Sequence, residues 1–333
     1  MNVIICKMKE VIHWLSQEPL ANTIPSFYID KILSICVKLF YLFVRLLFRI
    51  TLGKKRREHN LFFRKLRHTI DVSYSFNLCM YLYKIIRLLK LGNPSLIKMY
   101  VPKYKYKVYC PANIDDFTNM TTREADIIEH FRPKKTDTVI DVGAHLGRYS
   151  LISSSHVGMK GKVISIEANP LVYEKLKNNI DLNKSTNITS LNYAVYSEKT
   201  RIKLFFPNKE LKNTIYNTIV SERFNWEKFM EVDADTLDNI LSYAGIKVDK
   251  VNWIKIDVEG AELEVLKGAH NILSKSKDIA LLIEVHNVAE GRNLYENIID
   301  LLKTYNFKIE FEKIHEGGER HIIVRKIRYF EEN

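Results

Sequence analysis

Two short stretches gather side chains able to move a proton or hold a cation. Asp257, Glu259 and Gly260 follow the apolar run Val251–Ile256, and Glu284, His286 and Asn287 close a second run that starts at Ile279. Alternate residues of an extended chain share a side, so Glu284 and His286 point the same way. If the two runs are neighbouring strands, Asp257, Glu284 and His286 converge. One reading makes His286 a general base for a hydroxyl group, with Asp257 orienting the reactants. A second makes Asp257, Glu284 and His286 ligands of a hard divalent ion such as Mg²⁺, although Mg²⁺ favours carboxylates and water over imidazole. A third leaves His286 as a hydrogen-bonded structural residue. Glu259 has two roles open: a member of the site, or a cap on a helix starting at Gly260, where an acid favours the dipole.

A third stretch, VIDVGAHLGRYSL (Val139–Leu151), runs from an apolar strand through a glycine-bearing turn into a helix. Gly143 permits the tight turn and Gly147 a close approach of the helix, with Ala144 between them in the loop. Asp141 stands at the strand end, placed for the amino or sugar end of a nucleoside-like ligand. The middle glycine of a pyrophosphate-binding turn is missing, since His145 and Leu146 occupy that stretch. That counts against a dinucleotide and suits S-adenosylmethionine, which carries no phosphate. Glu167 closes the next strand (VISIE), where an acid hydrogen-bonds ribose hydroxyls. Asn192 and Ala194, near a third strand, are placed by topology beside the base.

These residues need a scaffold of alternating strands and helices. Apolar runs at Thr136–Val142, Lys162–Glu167, Ile188–Ala194, Val251–Asp257 and Ile279–Val285 read as strands, with helical patterns at Leu171–Asn183 and Ala261–Ser274. TTREADIIEHF, ahead of Pro133, reads as a capped helix. The alternation predicts an α/β fold, a doubly wound, mainly parallel Rossmann-like sheet. At the end, FKIEFEKI and RHIIVRKI flank HEGGE and predict an antiparallel hairpin. That ending marks the methyltransferase variant of the fold, since a nicotinamide-binding domain ends in parallel strands. The polar stretch Pro207–Phe229, with Tyr216 and Trp226, suits an acceptor-binding lid or a variable loop.

The charge is unevenly spread. Of the net +12, residues 1–110 carry 20 basic and 5 acidic side chains, and the rest carry 31 and 34. Such asymmetry points to an anionic partner for the first third. On a helix over Lys31–Ile50, the charges Lys31, Lys38, Arg45 and Arg49 fall within about 40° of one another, leaving an apolar remainder. GKKRRE follows directly. The segment Lys31–Arg57 therefore reads as an interfacial helix with a headgroup-binding cluster, against a buried helix or a single spanning one. Phe76–Lys90 repeats the pattern, and VPKYKYKVYCP reads as an extended linker or edge strand. A boundary near residue 112 divides the chain into a basic, helical region over 1–112 and a catalytic domain over 113–333. The four cysteines, Cys6, Cys36, Cys79 and Cys110, show no metal-knuckle spacing and favour a reducing compartment. No signal-peptide pattern opens the chain. The expectation is a cytoplasmic protein peripheral to a membrane.

VNWIKIDVEGAELEVLKGA (Val251–Ala269), with VIDVGAHLG and VISIEANP before it and LLIEVHN after it, resembles the FkbM family of methyltransferases. The likeness runs from about Glu124 to about Phe330; His145 stands where the family often has Asn. It implies a class I methyltransferase fold and O-methylation with S-adenosylmethionine, usually on hydroxyls of sugars, glycans, glycolipids or polyketide-type products. Two other functions remain in view. The basic N-terminal region would suit an RNA methyltransferase, although DVEG stands where an Asn-Pro-Pro-Tyr-like motif would follow the fourth strand. A non-catalytic nucleoside-binding module would leave the acidic and imidazole groups at two strand ends unexplained.

Overall fold

The computed structural model describes residues 70–71, 98–101, 103–109, 114–121, 123–206, 228–286 and 293–327. By its contacts the chain divides into two compact units, 1–112 and 113–333. The expected helices at Lys31–Ile50 and Phe76–Lys90 lie outside the described residues. Within the first unit, β1 (Ile70–Asp71) runs parallel to β2 (Lys98–Val101), which pairs antiparallel with β3 (Tyr106–Tyr109). Of the two readings of the Lys/Tyr run, the edge strand holds: Tyr106–Tyr109 lies at the edge of this sheet. No helix among the described residues is long and apolar enough to cross a membrane.

The second unit opens with α1 (Ile114–Thr121) and α2 (Ala125–His130). Then come β4 (Thr138–Val142), α3 (Arg148–Val157), β5 (Lys162–Ile166), α4 (Pro170–Asn183) and β6 (Ile188–Leu191). The short strand β7 (Ala194–Val195), β8 (Thr200–Phe206) and β9 (Lys228–Asp235) precede α5 (Leu237–Tyr243). The chain continues through β10 (Val251–Ile256), α6 (Glu262–Lys267), α7 (His270–Lys275), β11 (Ala280–Val285), α8 (Leu294–Thr304), β12 (Phe307–Ile314) and β13 (Arg320–Lys326).

Seven strands form the main sheet in the order β12-β13-β11-β10-β4-β5-β6. Only β13 runs against the others, wedged between β11 and β12. The terminal hairpin thus appears as its sequence implied. Every residue of β4 and of β11 is buried. A strand covered by helices on both faces has no wet side, which is why these read as apolar runs interrupted only by Thr138, Asp141 and Glu284. Ile140, Ile254, Leu281 and Ile283 pack with Leu266, Ile272 and Ile298 in one core. At the start of α4, Pro170 presets the first turn and Asn169 Oδ1 accepts from Leu171 N at 2.9 Å.

Four expectations shift. The strand predicted from Thr136 starts at Thr138, because Thr136 has φ 74°. The run Ile188–Ala194 divides: Ile188–Leu191 joins the main sheet and Ala194–Val195 joins a second sheet, β7-β9-β8. The helix predicted over Ala261–Ser274 is two short helices separated at Gly268, where a Cβ would stand 2.1 Å from the Tyr196 carbonyl oxygen. TTREADIIEHF is not one capped helix. Glu124 adopts a left-handed conformation between α1 and α2 and accepts from Tyr149 Oη at 2.9 Å instead of capping. Of the expected lid, Lys228 and Phe229 belong to β9, and residues 207–227 lie outside the described residues.

Candidate active site

A pocket opens beyond the carboxyl ends of β4, β5 and β10, where open parallel sheets place ligands. Gly143, Ala144, His145 and Arg148 form its floor, Glu167 and Ala168 one side, and Asp257, Val258 and Glu259 the other. Val142, Ile166, Ala194, Val195, Ile202 and Leu204 supply an apolar wall. The turn permits only glycine at 143: φ is +73°, and a Cβ would stand 1.8 Å from the Asp257 carbonyl oxygen. At Gly147 a Cβ would meet Leu176 Cδ1 at 2.7 Å, so this residue sets how closely α3 packs on α4.

Glu167 is where the sequence implied, at the end of β5. Its Oε2 accepts from His145 N at 2.8 Å and its Oε1 from Asn169 N at 2.9 Å. Burial outweighs these two bonds and raises the carboxyl to about 7. Ala194 lines the pocket, whereas Asn192 does not. Asn192 Nδ2 instead donates to the Glu167 carbonyl at 2.7 Å and braces the turn from behind.

Asp141 differs from its expected role. It is wholly buried and lies beneath the pocket rather than in its lining. Strand alternation turns it inward, where its Oδ2 accepts from Ser150 Oγ at 2.5 Å and Ser150 Oγ in turn accepts from Ser165 Oγ at 2.7 Å. Its Oδ1 faces Lys255 Nζ at 3.6 Å.

Lys255, not among the residues anticipated, links the glycine turn to the strand end. Its Nζ donates to the Gly143 carbonyl at 3.0 Å and to Asp257 Oδ2 at 3.3 Å. Burial favours a neutral amine, but the Asp257 and Asp141 carboxylates overcome it and hold the ammonium charged. The signal was present in VNWIKI: one lysine inside an otherwise buried apolar strand requires anionic partners.

Beyond Asp257 and Glu259 lies a cluster of carboxylates and imidazoles. His286 Nδ1 donates to Glu262 Oε1 at 2.8 Å. Its Nε2 faces Glu259 Oε2 at 3.6 Å, Glu284 Oε1 at 3.7 Å and Asp257 Oδ1 at 3.8 Å. The structure therefore brings together the Asp257, Glu284 and His286 side chains that the sequence placed at two strand ends. Burial alone would lower the His286 ring, but Glu262, Glu259 and Glu284 raise it to about 10. Glu259 does not cap a helix: α6 starts at Glu262, and the Glu262 carboxylate accepts from Gly260 N at 3.0 Å. The hairpin adds a residue sequence reasoning missed. His321, opposite Glu284 in the β11–β13 register, turns Nε2 to Glu284 Oε2 at 3.4 Å and to Glu124 Oε2 at 3.9 Å.

The strand order, the reversed β13 and the glycine turn with its acidic neighbour define a class I, Rossmann-like methyltransferase fold. More narrowly, the chain belongs to the FkbM methyltransferase family: residues 141–309 match the methyltransferase FkbM domain. It is 30% identical over 154 residues to methyltransferase sdnD of Sordaria araneosa, covering 39% of this chain and 59% of that protein. Hexuronic acid methyltransferase AglP of Haloferax volcanii is 29% identical over 153 residues, 46% of this chain and 57% of its own length. The chain thus spans less than two thirds of the length of the curated relatives it matches. A crystal structure of methyltransferase FkbM from Methylobacillus flagellatus KT aligns with a TM-score of 0.41 at 20% identity, over 58% of this chain and 44% of that one.

Proposed function

We propose that this chain is an S-adenosylmethionine-dependent O-methyltransferase acting on a hydroxyl of a sugar, glycan or glycolipid. One observation carries the reading: Asp257 and Glu259 line the cofactor pocket and also face the His286 cluster. Methyl donor and proton acceptor then share a wall. The sugar acceptor draws support from the relative named as a hexuronic acid methyltransferase.

The pocket suits the cofactor. Gly143 lets the turn pack directly on the Asp257 carbonyl and so brings its backbone to the pocket, Glu167 offers carboxylate oxygens for ribose hydroxyls, and the apolar wall accepts adenine. Bound S-adenosylmethionine supplies an electrophilic methyl carbon. The Asp257 carboxylate, with Glu259 beside it, would take the one proton that the acceptor hydroxyl gives up on methylation. His286 is absent from the pocket lining and has Nδ1 committed to Glu262. It therefore orients these carboxylates, in place of the general-base role its sequence position suggested.

Residues 113–333 form the methyltransferase domain in this reading. The basic region 1–112 brings it, through Lys31–Arg57, to an anionic membrane surface. The support is the charge asymmetry of the sequence. Labelled S-adenosylmethionine offered with fractionated glycans, lipids and RNA tests the assignment. Label is expected in the glycan or glycolipid fraction, and D257N should lower turnover about 100-fold while retaining cofactor binding. Label confined to RNA, or no transfer to any fraction, would overturn it.

A further inference from the structure

The two histidines of the cluster share one arrangement. Each has Nδ1 anchored by a neighbour: His286 by Glu262 Oε1 at 2.8 Å, His321 by His315 Nε2 at 2.8 Å. Each turns Nε2 toward carboxylate oxygens 3.4–3.9 Å away. Most of these separations exceed a hydrogen bond, and they approach the spacing of donor atoms around one cation. Ligand atoms bound at about 2.0–2.2 Å stand roughly 3–3.5 Å apart. An Nδ1–H held by a carboxylate, as in His286, is the usual outer support of a metal-bound histidine, and in His321 the His315 ring fixes the imidazole instead.

Glu284 joins the two halves. Its Oε1 faces His286 and its Oε2 faces His321. One set of donor atoms, from Asp257, Glu284 and His286, lies within 4.8 Å of one another, and so does a second set from Glu124, Glu284 and His321. The β11–β13 pairing fixes this geometry by setting Glu284 opposite His321. Anionic charge is abundant there: Glu262 is fully buried, and its Oε2 has no hydrogen-bond partner.

We propose that these residues form a two-cation centre bridged by Glu284, with one divalent ion on Asp257, Glu284 and His286 and a second on Glu124, Glu284 and His321. The imidazole donors suit a first-row ion such as Fe²⁺ or Zn²⁺ better than Mg²⁺ or Ca²⁺, and Mn²⁺, at home among the carboxylates, serves as the paramagnetic probe. Asp257 and Glu124 both line the cofactor pocket, so an acceptor oxygen entering it meets the centre. The centre deepens the proposed O-methylation by giving the hydroxyl a Lewis acid. Its test uses neither cofactor nor acceptor, so failure here leaves the methyl-transfer reading standing.

The full chain, stripped with a chelator, is titrated with Mn²⁺ by calorimetry and by electron paramagnetic resonance of free Mn²⁺. Two equivalents per chain are expected in the wild type, with one surviving in H321Q, one in H286Q and none in E284Q. The frozen, loaded wild type should show a spin-coupled Mn²⁺ pair, a readout that needs no variant to fold. One equivalent or none in the wild type, isolated Mn²⁺ spectra only, or two equivalents retained by E284Q would overturn the proposal.

Discussion

The Lys255 ammonium lies 3.0 Å from the Gly143 carbonyl oxygen, 112 residues earlier in the chain, and so fastens the end of β10 to the cofactor turn. It is also the positive charge set among Asp141, Asp257 and that carbonyl. Removing one member of a buried charged group leaves the others uncompensated, at about 3–5 kcal/mol. K255M should lose about that much stability in urea unfolding, and its cofactor affinity should fall because the turn loses its tether. Unchanged stability and affinity would refute this role for Lys255.

Glu167 yields a pH prediction. Its carboxyl is raised to about 7, mainly by burial, with His145 and Asn169 backbone bonds and Lys255 opposing and Asp141 reinforcing. In the unfolded chain the group titrates near 4.5. The folded protein therefore binds more protons across this interval, and stability contributed by this group falls as pH rises from about 4.5 to 7. Cofactor binding should move the other way, since only the carboxylate accepts from both ribose hydroxyls. Affinity for S-adenosylmethionine should rise between pH 6 and 8, and E167Q should flatten that rise and weaken binding.

Gly143 tolerates no side chain. G143A places a Cβ against the Asp257 carbonyl and forces a residue with a side chain into a left-handed conformation. Equilibrium dialysis should show at least a tenfold loss of cofactor affinity, and the variant should melt at a lower temperature. Wild-type affinity in G143A would mean that the turn does not belong to the pocket.

Gly268 separates stability from chemistry. A Cβ there meets the Tyr196 carbonyl oxygen at 2.1 Å, and neither residue lines the pocket. G268A should cost about 1–3 kcal/mol by overpacking. Turnover per folded molecule, measured below the new melting transition, should match the wild type.

Some of this architecture is legible from residue order alone, and some is not. The buried strands show as near-continuous apolar runs because both faces are covered, and the hairpin shows because Gly317 and Gly318 lie between a pair of strand-like runs. Gly143 and Glu167 sit within one strand–turn–helix–strand unit, so local spacing finds them. His321 and Glu124 escape that logic. They meet Glu284 only through the register of β13 on β11 and the left-handed turn before α2, and neither is written in local periodicity. Asp141 illustrates the opposite failure: its place at a strand end was clear, but its direction depends on Lys255 and Ser150 waiting beneath the pocket.

The reversed strand has a consequence for how the protein comes into being. β13 must slot between β11 and β12, and it carries His321, so the cluster is complete only after a late, non-local pairing. Contacts of that kind form slowly, because chain closure precedes their reward. A nascent chain that has built β4, β5 and β10 therefore holds the glycine turn, Glu167 and Asp257 together before His321 joins them. If the proposed function holds, the cofactor pocket and the full carboxylate–imidazole cluster should be completed at different times during synthesis.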